Sequence, residues 1–200
     1  MSEASAAAVA VLGFRPHTYW TAVVALAGEA PAPRVIDRRR IVFAEGDERF
    51  AYHQAAETDL AGAATLIDAV RVATVANAAR EIGGLVTDLK RSGVTVRLAA
   101  TPAGTAKLPE KLEDILHAHS RIHAAEGTFY RDVVAAGCAG AGLEVRRVVE
   151  RELPALVCDL IDIKPAELEA RLNAMGVALG PPWSEDFKLA TQAAWICLES

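Results

Sequence analysis

Apolar and polar positions alternate between two regimes along the chain. Ala8 to Phe14 is almost wholly apolar, as expected of a strand buried on both faces of a sheet. Arg15-Pro16-His17 interrupts it, and Tyr19 to Leu26 predicts a second strand. Gly28 to Pro33 reads as a turn. Arg34 to Phe43 predicts a third strand, with charges on both faces that suit a blunted edge. Three strands joined by short links make an antiparallel meander.

The pattern then becomes helical. Glu45-Gly46-Asp47 turns the chain, and Thr58 to Arg91 predicts a long alanine-rich helix stopped by Ser92-Gly93. Val94 to Ala100 predicts a fourth strand. A helix opened by Pro109 runs to about Ala136, ended by the GCAGAG segment. Leu143 to Val149 predicts a fifth strand. A short helix over Leu153 to Leu160 follows, then one from Ala166 to Met175 stopped by Gly176. Ser184 caps a last helix to about Leu198. The order β-β-β-α-β-α-β-α-α implies an α/β fold: a mixed five-stranded sheet with helices on both faces.

Composition narrows the class. Two hundred residues, 52% hydrophobic, suit one domain over 1–200 with a flexible start over 1–7. A net charge of −5 argues against a whole-surface field for nucleic acid and leaves a local patch open. Cys138, Cys158 and Cys197 are scattered and read as buried thiols of a cytoplasmic protein. The first residues lack a basic region and cleavage pattern, so no signal peptide is expected, and no apolar run reads as a membrane span.

The segment VLGFRPHTYWTAVV, Val11 to Val24, carries a more specific signal, as does HAAEGTFYRDVVAAG, His123 to Gly137. With the element order, these segments resemble the RuvC-type Holliday-junction resolvases of the ribonuclease H-like superfamily. There the first strand ends in Gly-hydrophobic-Asp-Pro-Gly. Here Gly13, Phe14 and Pro16 match, while Arg15 replaces the Asp and His17 the last Gly. Ala125-Glu126-Gly127 stands where that family's second core helix carries Ala-Arg-Gly. Lys164 to Leu198 is similar to its closing section.

The resemblance implies carboxylates that hold two divalent metals at a phosphodiester. They would lie at the end of strand one, on strand four and at the start of the last helix. The matching positions are Arg15, Ala99 or Ala100, and Glu185 or Asp186, with Lys188 one turn on. At most one acid survives, and Arg15 adds a fixed positive charge. Glu185 and Asp186 then read as ordinary helix N-terminal charge. The expectation is a non-catalytic binding or interaction module with no cofactor. It is taken to be homodimeric, since related resolvases dimerise and the long helix is rich in small residues. A divergent nuclease and a nucleic-acid binder without cleavage remain the alternatives. For Arg15, a salt bridge to Glu185 or Asp186 is preferred over an anion site shared with His17 and Lys188.

Four other features bear on chemistry. His119 and His123 are four residues apart on one helix, with Glu126 three further on, a set able to ligate zinc or iron. Core or interface histidines are the commoner outcome, so these are assigned no metal. Arg38, Arg39 and Arg40 alternate in direction along a strand and make no single patch. Trp20, Trp183 and Trp195 lack the basic interleaving of a single-strand groove and read as packing. Cys138 has no base near it in sequence, so nucleophilic catalysis is not expected.

Overall fold

The computed structural model describes residues 8–199, so the expected flexible stretch 1–7 lies outside the described residues. Five strands form one mixed sheet in the order β3-β2-β1-β4-β5. They are β1 (Ala8–Pro16), β2 (Trp20–Ala27), β3 (Arg34–Val42), β4 (Val94–Ala103) and β5 (Glu144–Val149). The first three pair antiparallel; β4 runs parallel to β1, and β5 parallel to β4. The mixed sheet expected from the sequence is therefore present. β1 and β2 are central and nearly all buried, whereas β3 is a half-exposed edge.

Side-chain alternation divides two cores. Leu12, Phe14, Val23, Ala25 and Ala99 face α2 (Leu60–Arg91) and α4 (His119–Gly140). Val11, Leu26, Leu98 and Ala100 face the other layer, α5 (Leu153–Ile161), α6 (Pro165–Leu179) and α7 (Glu185–Trp195). Glycine sets the closeness of both layers. A Cβ on Gly13 would collide with the Ala190 carbonyl and the Ala194 amide, so α7 lies directly on β1. A Cβ on Gly137 would sit 2.7 Å from that of Ala78, and one on Gly140 2.9 Å from that of Ala79. Small residues of α2 thus serve its packing on α4.

Several boundaries differ from the sequence reading. The chain after Phe43 forms a 3-10 turn, Gly46–Phe50, and a short α1, Ala51–Ala55, which the pattern did not predict. The helix expected from Pro109 is two helices, α3 (Leu112–Leu116) and α4; the glycine-rich segment does end α4, at Gly140, four residues beyond the expected Ala136. Gly176 does not stop α6. It lies inside the helix because a Cβ there would strike the Trp183 ring. Ser184 holds the cap position of α7 without a side-chain cap bond. At 32 residues, α2 is long and apolar enough by composition to cross a bilayer, contrary to the sequence reading. Its buried residues Ile67, Val70, Ile82 and Leu85 belong instead to the core shared with the sheet and α4.

Candidate functional site

Parallel β1, β4 and β5 finish at the same end of the sheet, where α5 and α7 also approach. Arg15 shares the Gly13 face of β1, toward α7. Its Nε lies 2.9 Å from Oε2 of Glu150, and its Nη1 donates to the Pro16 carbonyl at 2.7 Å. The contact with Glu150 is an ion pair without an aligned hydrogen bond. This corrects the expected partner, since neither Glu185 nor Asp186 holds Arg15. Glu150 follows β5 directly, and the parallel ladder brings the ends of β1 and β5 to one edge.

His17 takes Asp186 instead. Nε2 stands 2.6 Å from Oδ1, and the imidazole stacks on Trp20 at 4.2 Å with the rings 5° from parallel. The Arg40 guanidinium covers Trp20 at 4.1 Å, a cation–π contact. Asp186 is therefore more than helix-terminal charge. Glu185 does fit that description: its side chain is 70% exposed, and its ion-pair partner among the described residues is Lys188, at 3.6 Å. Ala99 and Ala100 are fully buried methyl groups in opposite cores, Ala99 opposite Leu12 and Ala100 opposite Gly13. The carboxylates in this cleft, Glu150 and Asp186, each face a basic side chain.

The other singled-out residues have defined places. Arg38 donates to the Leu179, Gly180 and Pro181 carbonyls, while Arg39 binds Asp37 and Asp88 from the opposite face. Hydrogen bonding to Asp37, then Asp88, holds the Arg39 guanidinium further toward its protonated form. Trp195 and Trp183 donate their ring N–H to the Ala30 and Leu172 carbonyls. Cys138 is fully buried, which pushes its thiol up to about 12. That leaves no thiolate for nucleophilic work near neutral pH.

A second cluster gathers at α1 and the start of α4. His119 and His123 are exposed on the first turns of α4, so of the core or interface positions expected for them the core is excluded. Their Nε2 atoms are 2.9 Å apart. His53, from α1, completes a triangle with ring centroids 5.4 Å from His119 and 4.8 Å from His123. Glu126, only 3% exposed, points Oε2 at Nδ1 of His53 across 3.2 Å and accepts the Tyr52 amide through Oε1. Sequence reasoning found three of these four residues. His53 was missed because its short helix has no periodic pattern to mark it.

The fold is a RuvC-like ribonuclease H fold. Among solved structures, the chain is similar to Thermus thermophilus RuvC in complex with a Holliday junction substrate: TM-score 0.54, 10% identity, 94% of this chain and 91% of that one covered. It is equally similar to a second Thermus thermophilus RuvC structure, with TM-score 0.54, 9% identity, and 94% and 92% coverage. No family model matches the sequence, and no curated protein matches it.

Proposed function

We propose that this chain is a non-catalytic ribonuclease H-like domain that acts as a binding or interaction module. One observation carries the reading. At the end of the sheet where a two-metal nuclease would gather its acids, Glu150 and Asp186 are each held by a basic side chain, Arg15 and His17, and Glu185 points largely into solvent. Two hard divalent ions need several unshared carboxylate oxygens. Arg15 cannot release its charge to make room, and Ala99 and Ala100 offer no replacement ligand.

The test is incubation of the full chain with a four-way DNA junction and Mg²⁺ or Mn²⁺, alongside melting curves with each ion. Intact DNA and an unmoved melting temperature are expected. Cleavage abolished by Glu150→Gln or Asp186→Asn would overturn the reading and restore a divergent nuclease. A salt-dependent shift of uncleaved DNA, lost in Arg15→Ala, would define the bound partner as nucleic acid.

A further inference from the structure

We propose that His53, His119 and His123 form a binding site for a divalent transition metal of the zinc class, with Glu126 orienting His53. The inference concerns residues outside the cleft and stands whether or not that cleft is catalytic. It departs from the sequence expectation of no metal.

The ligand atoms of the three histidines all lie within 4.8 Å of one another. Zn–N bonds of about 2.0–2.1 Å at tetrahedral angles put nitrogens roughly 3.4 Å apart, so the three are close to a coordinating arrangement. The rings meet edge to face, with interplanar angles of 66° to 81°. Each can therefore aim a nitrogen inward without stacking. His119 and His123 are one helical turn apart, the spacing that sets two side chains on one face.

The 2.9 Å contact between their Nε2 atoms brings two like atoms together. Without an ion, one neutral ring donates its N–H to the lone pair of the other. A cation held between them would engage a lone pair of each ring instead. Nitrogen donors select a borderline ion such as Zn²⁺ or Co²⁺ over Mg²⁺.

The surroundings supply the support such a site needs. A metal-bound histidine commonly offers its second ring nitrogen to a carboxylate, which fixes tautomer and orientation. Glu126 Oε2 stands 3.2 Å from Nδ1 of His53, close enough for that role though not aligned as a hydrogen bond, and this leaves Nε2 for the ion. Glu126 is itself fixed by the Tyr52 amide. α1 is anchored by fully buried Ala51 and Ala55, and the Tyr130 hydroxyl donates to the Arg49 carbonyl just before it. Exposure of His119 and His123 leaves the remaining coordination position toward solvent, suited to water or an oxygen or nitrogen ligand from a partner.

The test uses untagged full-length chain stripped with a chelator and dialysed. Zn²⁺ titration by calorimetry should give one equivalent per chain, unaffected by excess Mg²⁺. Co²⁺ should give the visible absorption of a four-coordinate nitrogen-ligated ion. His119→Ala and His123→Ala, both at exposed positions, should lose the Co²⁺ spectrum while keeping the wild-type circular dichroism. Glu126→Gln should weaken Zn²⁺ roughly tenfold to hundredfold. His117→Ala, whose ring bonds the Glu113 carbonyl, should change nothing. No stoichiometric binding of either ion overturns the proposal. So does affinity that survives in His53→Ala, since the helical pair alone would then account for it.

Discussion

The cleft beside β1 and the histidine cluster on α1 and α4 handle ionisable groups in opposite ways. In the cleft, acids and bases alternate: Arg15 with Glu150, His17 with Asp186. In the cluster, three imidazoles converge on one another, and the one carboxylate stands behind them at His53. Acids and bases already in contact leave little for a ligand to gain. Imidazoles that converge on one another leave lone pairs that a cation can take up. The cleft and the histidine cluster thus differ in how the groups are paired, more than in how many there are.

The largest effect expected from breaking this comparison lies at Gly13. A valine there would drive its side chain into the α7 backbone at Ala190 and Ala194. Overpacking without room to relax costs about 3 kcal/mol or more. Gly13→Val should therefore lower the urea midpoint sharply or prevent folding. A variant with wild-type stability would show that α7 does not need to lie so close to β1, and that the cleft is not fixed by packing. Next in size is Glu126→Ala, which removes a buried acceptor and leaves the Tyr52 amide without its partner. A loss of about 1–3 kcal/mol is expected. Equal stability in denaturant melts would mean that Glu126 is not the rigid support assigned to it.

How far the sequence could show these two regions differs for physical reasons. The strand meander was legible because β1 and β2 are buried on both faces and β3 is an edge, each leaving its own pattern of polarity. The absence of acids at Ala99 and Ala100 was legible once the fourth strand was placed. The partner of Arg15 was not, because Glu150 reaches it through the parallel pairing of strands far apart in the chain. His53 was hidden for a related reason: α1 is a five-residue helix whose position depends on tertiary anchors. Gly176 misled because a glycine that ends a helix and one that admits a tryptophan ring look alike in sequence.

Arg15 and Glu150 provide a smaller and more diagnostic test. Their side chains are 21% and 31% exposed, so the pair is neither fully screened nor deeply desolvated. Arg15→Ala should cost about 1–2 kcal/mol by leaving Glu150 with an unpaired charge, and Glu150→Gln about as much. The double variant should cost less than the sum, which a double-mutant cycle in urea measures. Strict additivity would show that the two groups do not hold each other, and would return Arg15 to the anion-site reading.

The smallest expected effect is at Glu185, and its smallness is informative. The side chain is largely in solvent and its contact with Lys188 is long. Exposed ion pairs and helix-terminal charges contribute about 0.5 kcal/mol or less. Glu185→Ala should leave the melting curve nearly unchanged and make no difference to it in the presence of Mn²⁺. Those two readings separate the roles open to this residue. A helix-terminal charge acts through the α7 dipole whether or not Mn²⁺ is added. A surviving ligand of a catalytic ion would change the curve only with Mn²⁺ present. A Mn²⁺-dependent difference at Glu185 would mean that the cleft still gathers carboxylates around a metal despite the ion pairs at Arg15 and His17.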